Sequence, residues 1–364
     1  MRLLASRGTS RTSRVAWRRA AWSTWAALLL VLLGTSSCGL FRGSVNASPE
    51  LRWFLFSNFG AQRMCPEMLK RGAPLKLAAN GNAIGRFFPE RCTAQVNDAA
   101  QTVTLAFSGT GFAWTPVAGR MGFAVSATVD YRMDFFMGED ATYVWAKPAR
   151  IAYGPDFRMG AIENKVVDWA AQGPAGYMVS TFGSQIVAGQ LSSGFTVVHS
   201  DDGDEFALGL LQPPARPQRY FASGSGRTSL ERDTTEVRVD QMDLVGPFEV
   251  PSSGQALFLR FQVTGPALDV MLIRRGAGDL WRSGLQLGAE LAAPPEAPLS
   301  SFALQPGQEA QQVVPLPPGQ YYLVLDNSQR MGAVSPPWSP LGIVGGNAAV
   351  VAYSVELGSA SSAF

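Results

Sequence analysis

GFAVSATVDYRMDF, Gly122–Phe135, places Phe123, Val125, Ala127, Val129, Tyr131 and Met133 at every second position. That period belongs to a strand with one buried face. Upstream, QTVTLAFS (Gln101–Ser108) alternates likewise, with Val103, Leu105 and Phe107 on one face and Thr102, Thr104 and Ser108 on the other. Downstream, TYVWAKPARIA (Thr142–Ala152) reads as a third strand. Pro148 marks an edge or a bulge there, because proline cannot donate to a ladder. Gly194–His199 and Glu205–Leu211 read as a further pair around a turn at Asp201-Asp202-Gly203-Asp204.

Helical spacing frames these strands. Leu51, Phe54, Leu55, Phe59, Met64, Met68 and Leu69 predict one or two short helices in 50–71, interrupted near Gly60 and Pro66. The stretches 162–171 and 175–191 also have helical spacing, and Met178, Val179, Phe182, Ile186 and Val187 make an apolar stripe. The expectation is an α+β N-terminal domain over 50–212, an antiparallel sheet with amphipathic helices. Residues 213–233 are rich in Pro, Gly, Ser and Arg and have linker composition. From Thr234 on, short runs such as Ala256–Val263, Leu268–Arg274, Gln320–Asp326 and Ala348–Leu357 predict an all-β sandwich domain over 234–358, with a tail at 359–364. Residues 284–319 are proline-rich with weak periodicity, so long loops are expected there.

Composition narrows the function. Of the 364 residues, 46% are hydrophobic and 16% charged, which excludes a disordered tail. Six arginines and no acids fall in residues 1–37, leaving 24 Lys+Arg against 28 Asp+Glu in the rest. A mildly acidic body is poorly suited to a phosphate backbone, so no nucleic-acid partner is expected. Residues 20–37 carry no charge, and their apolar run, Trp25–Leu33, is shorter than the ~20 residues that span a bilayer. A basic region, a short apolar region and small residues make a secretory signal peptide over 1–37.

Cys38 directly follows Gly34-Thr35-Ser36-Ser37. This resembles the lipobox of bacterial lipoproteins, although Thr35 stands where that family usually has Leu. The resemblance implies lipidation of Cys38, a tether over 38–49 and a membrane as partner. Gly39 after the cysteine resembles the outer-membrane sorting choice of enteric bacteria, which implies a cell-envelope location. With Cys38 lipidated, Cys65 and Cys92 remain as an even pair in an oxidising compartment, and a disulfide between them is expected.

PPGQYYLVLDN (Pro317–Asn327), with the closing AYSVEL (Ala352–Leu357), resembles the sandwiches of pre-peptidase C-terminal type appended to secreted bacterial enzymes. That resemblance implies an accessory module without catalysis. The element order of the first domain, with Val129–Phe135, Tyr143–Ile151 and the helix near 175–191, is similar to bacterial lipoproteins of the tubular lipid-binding class. It implies an apolar groove, for which Tyr131, Met133, Phe135, Trp145, Met178 and Phe182 are the candidate lining; ordinary core packing is the competing reading.

No catalytic constellation is read. Asp201-Asp202-Gly203-Asp204-Glu205 fails as a calcium loop, because the twelfth residue from Asp201 is Gln212 instead of Glu. A solvated hairpin turn explains it. His199, the only histidine, has no histidine partner for zinc. Gly109-Thr110-Gly111 and Gly224-Ser225-Gly226 lack the lysine of a phosphate loop. The expectation is a non-catalytic envelope lipoprotein with a binding or structural role, without cofactor or metal, engaging a lipid or another envelope protein. The alternative is an extracytoplasmic hydrolase.

Overall fold

The period-two stretches form the longest strands. The computed structural model describes residues 39, 41–78, 81–115, 119–163, 187–217, 220–288, 291–329, 332–335 and 348–362. Contacts divide the chain into two units, Met1–Arg52 and Trp53–Phe364. In the first, part of the stretch expected as a tether, 41–47, is helical. Ser48 then caps the next helix, Pro49–Leu55, its Oγ accepting from the Leu51 amide at 3.2 Å. Serine at the N-cap with proline behind it is a strong start signal, since proline's missing N–H is not needed there.

In the second unit, a π-helical turn, Phe56–Gly60, leads into the helix Ala61–Met68. The expected interruption near Gly60 is this turn, but the helix continues through Pro66. Pro66 lies near its exposed end, and Leu69 N–H still bonds Cys65 O at 3.0 Å. Cys65 is disulfide-bonded to Cys92.

Strands β1 (Ala73–Lys76), β2 (Ala83–Asn97), β3 (Thr102–Thr115), β4 (Gly119–Met137), β5 (Ala141–Ile162), β6 (Phe195–Ser200) and β7 (Gly203–Leu208) pair in chain order, each antiparallel to the last. In the β3–β4 ladder Val103 faces Tyr131, Leu105 faces Val129 and Phe107 faces Ala127, so the two apolar faces coincide. All six are buried. The β4–β5 ladder shifts register between Asp130 and Tyr131, whose partners are Arg150 and Pro148, and the bulge expected at Pro148 falls there.

The sheet continues through β8 (Thr228–Arg238), β15 (Ala348–Ser359), β10 (Gln255–Thr264) and β13 (Glu309–Pro315), making eleven strands. A second sheet orders β12 (Ser300–Leu304), β11 (Leu268–Arg274), β14 (Gly319–Asn327) and β9 (Gln241–Val250). Between this sheet and β8-β15-β10-β13 lies the largest apolar core, which includes Val245, Phe248, Leu257, Phe261, Leu323 and Tyr353.

The molecule is therefore mostly β, and a sandwich is present. A division into an α+β half and an all-β half is not clear, because β8 belongs to both. Parallel bridges Ala83↔Thr235 and Gly203↔Ser229 tie it to β2 and β7, while its long antiparallel ladder is with β15. The stretch 213–233, expected as a linker, is strand from Thr228 on, and Arg227 is buried. The tail expected at 359–364 begins as the last residue of β15.

One helix breaks the expected run of strands. Arg275–Gln286 buries Ala277, Trp281 and Leu285 against the outer face of the second sheet, where Leu244, Met271, Ile273, Tyr322 and Val324 lie. Gly278 admits the Tyr322 ring, which a Cβ would meet at 2.2 Å. On β4, a Cβ at Gly122 would meet the Gln286 carbonyl oxygen at 2.0 Å. Among the described residues no helix is long and apolar enough to cross a membrane.

Candidate functional site

Of the six residues expected to line an apolar groove, the four that the structure describes, Tyr131, Met133, Phe135 and Trp145, do not share one face. Tyr131 and Met133 are buried on β4 beneath Phe56 and Ala61, with Phe135 and Cys92 packed alongside. The Tyr131 ring meets Phe195 edge-on at 5.6 Å, and burial pushes its phenol up to about 12. Met133 faces Ala146 and Phe135 faces Val144 across the ladder, whereas Trp145 faces Asp134. Successive strand residues point to opposite faces, so Trp145 lies on the other side of the sheet. Its indole N–H donates to Leu211 O, and its ring stacks with Tyr143. Met178 and Phe182 lie outside the described residues, as do Cys38 and most of the helical stretch expected over 162–191. Of the two helical stretches expected, 162–171 and 175–191, the described residues are helical over 187–191, whereas Ile162 ends β5, its side chain buried at the end of a strand rather than on a helix.

The acidic run is a hairpin turn. Ser200 pairs with Gly203, leaving Asp201 and Asp202 as the loop, and Gly203 adopts a positive φ of 117°. His199 Nδ1 contacts Asp204 Oδ1 across the hairpin, with both side chains exposed.

Sequence reading missed the buried charges. Arg86 on β2 has no exposed surface. Its Nε and Nη2 donate to the two Asp243 carboxylate oxygens at 2.8 and 3.1 Å, a fork-to-fork pair. Nη1 donates to Glu231 at 3.0 Å and Nη2 also to the Tyr353 hydroxyl, which itself donates to Glu231 at 2.6 Å. Burial opposes the guanidinium charge, but Asp243, Tyr353 and Glu231 outweigh it and hold the arginine well above its ordinary pKa. Beside this network Lys76 bonds Asp233, whose carboxyl burial pushes up against the pull of that lysine.

A second network joins β7, β8 and β15. Arg232 donates to Glu356 at 2.8 Å and to Ser223 at 2.6 Å, and it approaches Glu205 at 3.7 Å. Arg227 stacks over the Phe258 ring at 3.9 Å and lies 3.6 Å from Glu356. These charges are spent on one another, which suits cross-linking of strands.

One buried pair differs. Asp269 and Asp326 stand opposite each other on β11 and β14, each 1% exposed. Asp269 accepts from the amides of Ala333 and Val334 at 3.1 and 2.8 Å. Asp326 Oδ2 accepts from the Ser328 hydroxyl at 3.2 Å, but its Oδ1 has no partner. Burial pushes the Asp326 carboxyl up to about 7; the Ser328 hydroxyl and backbone amide oppose this, and Asp269 and Asp240 add to it. The signal was present in YYLVLDN, where Asp326 continues the face of Tyr322 and Val324. No family model matches the chain, and no curated protein matches it.

Proposed function

We propose that the chain is an exported bacterial lipoprotein, held on an envelope membrane through Cys38, whose β-rich body binds or scaffolds another envelope component. The observation that carries this reading is the Cys65–Cys92 bond. Structural disulfides form and persist in oxidising compartments, which a chain reaches by export. The basic, apolar and small-residue succession before Cys38 supplies the export signal, and the cysteine supplies the attachment point. Attached acyl chains contribute ~0.8 kcal/mol per buried CH₂, and two or three make the anchorage stable. Gly39 favours the outer membrane as the destination.

Metabolic labelling tests the anchor. Wild-type protein incorporates palmitate and sediments with membranes, whereas Cys38→Ala incorporates none and is released or retained as precursor. Label on Cys38→Ala refutes the proposal. The non-catalytic role is tested by complementation of a deletion strain. His199→Gln at matched protein level restores the phenotype, at a stability change of at most about 1 kcal/mol. Loss of the phenotype with the fold intact places chemistry at His199 and favours a hydrolase.

A further inference from the structure

We propose that Asp269 and Asp326, side by side on the outer face of the four-stranded sheet, form with Ser328 a binding site for a hard divalent cation of the Ca²⁺ class. The argument starts from the ladder. The two carboxylates occupy directly opposed positions of neighbouring strands, where like charges repel, and both are buried. Among the described residues neither makes an ion pair, in contrast to Arg86 with Asp243 and Arg232 with Glu356. The two amides donating to Asp269 offset part of its charge. The Ser328 hydroxyl and backbone amide bond the Asp326 carboxyl, but its Oδ1 has no partner, and a buried acceptor without one is costly.

A proton on Oδ1 does not remove that cost. It turns the acceptor into a donor, which needs an acceptor in turn, and no hydrogen bond joins Asp326 to Asp269. A cation needs only oxygens, and oxygens are what the site offers: two carboxylates and the Ser328 hydroxyl, with no thiolate or imidazole. Hard oxygen donors in an irregular arrangement suit Ca²⁺ better than transition metals or the strict octahedron of Mg²⁺. Among the described residues no three His, Cys, Asp or Glu side chains cluster as a metal site. Two carboxylates therefore bear the charge, with hydroxyl and water oxygens completing the shell. So few charged ligands imply the weak class of site, with a dissociation constant of about 0.1–1 mM.

The experiment uses the full mature chain, stripped with chelator and titrated with CaCl₂ at neutral pH by calorimetry and thermal unfolding. Wild type binds one Ca²⁺ and its Tm rises. Asp326→Asn weakens binding at least about tenfold, while Asp204→Asn on the exposed hairpin leaves it unchanged. A second measurement needs no variant: Ca²⁺ slows hydrogen exchange at the Ala333 and Val334 amides that clasp Asp269. The proposal is overturned by absence of Ca²⁺ binding to wild type, by equal binding to Asp326→Asn, or by unchanged exchange at those two amides. Loss of binding in Asp204→Asn alone moves the site to the hairpin and overturns it equally.

Discussion

Arg86 shows how one side chain ties distant parts of the chain together. Its four hydrogen bonds go to Asp243, Glu231 and Tyr353, on β9, β8 and β15. Replacing it with alanine leaves two carboxylates buried without their counter-charge. Breaking a buried pair from one side costs about 3–5 kcal/mol, so Arg86→Ala lowers the unfolding free energy by that order in urea titration. Arg86→Lys does not restore it, because an ammonium cannot engage Asp243 through two parallel bonds. Asp326 gives the opposite kind of prediction. Its carboxyl titrates near 7 in the folded chain, above the ordinary aspartate value near 4, so the folded state binds the extra proton. The stability it contributes is complete below about pH 4 and is lost as pH rises through about 7. In the presence of chelator, wild type weakens across that interval by roughly a few kcal/mol. Asp326→Asn lacks this component. Thermal unfolding of the two proteins from pH 4 to 8 checks the difference; parallel curves refute it.

At the scale of the element, the helices are held by close approaches and one covalent link. The disulfide fastens Ala61–Met68 to β2. Replacing both Cys65 and Cys92 by serine costs about 2–5 kcal/mol, read as a fall in Tm under non-reducing conditions. The helix Arg275–Gln286 offers an internal contrast. Gly278→Ala drives a methyl into the buried Tyr322 ring, and overpacking of this kind costs about 1–3 kcal/mol. Gly276→Ala meets nothing within 4 Å and is neutral or stabilising by up to about 1 kcal/mol. Equal effects from the two would place the helix elsewhere.

This helix also marks what was legible in the sequence. Strand alternation at Gln101–Ser108 and Gly122–Phe135 was readable because one face is buried and the period is strict. The cysteine pair was readable by parity. The helix was masked by Gly276, Gly278 and Gly284, whose low helix propensity hides the spacing of Ala277, Trp281 and Leu285; at Gly278, packing against Tyr322 explains the glycine. Aromatic content groups Trp145 with Tyr131 as groove lining, although ladder parity puts them on opposite faces. Arg86 carries no local signature, since its meaning depends on partners far along the chain; Asp326 sits at a readable position of YYLVLDN, but its opposite number Asp269 lies on a distant strand.

Over the whole molecule, β8 is the shared strand. The same eleven residues pair with β15 in the sandwich and touch β2 and β7 at its ends. A cut through 213–233 therefore separates strands from their partners and from the arginine networks. Expressed alone, 53–212 and 234–358 are expected not to fold, and in the intact protein Arg227 and Arg232 resist trypsin. Two independently folded fragments with cooperative unfolding would restore the linker expected from composition.

The Thr235 hydroxyl bonds the Ala83 carbonyl across 152 residues of chain, Arg86 meets Asp243 across 157, and it reaches Tyr353 across 267. Such high contact order delays folding, because the entropy of closing long loops is spent before any contact repays it. At ~5–20 residues per second, the ribosome completes Tyr353 roughly ten seconds to a minute after Arg86. Throughout that interval the guanidinium lacks the phenol that helps to seat it, and β8, once made, waits for β15, its partner in the long ladder. The nascent polypeptide thus remains unfinished until synthesis is almost over. That is a hazard for a cytosolic protein, but it keeps a secreted one extended enough to thread a translocation channel.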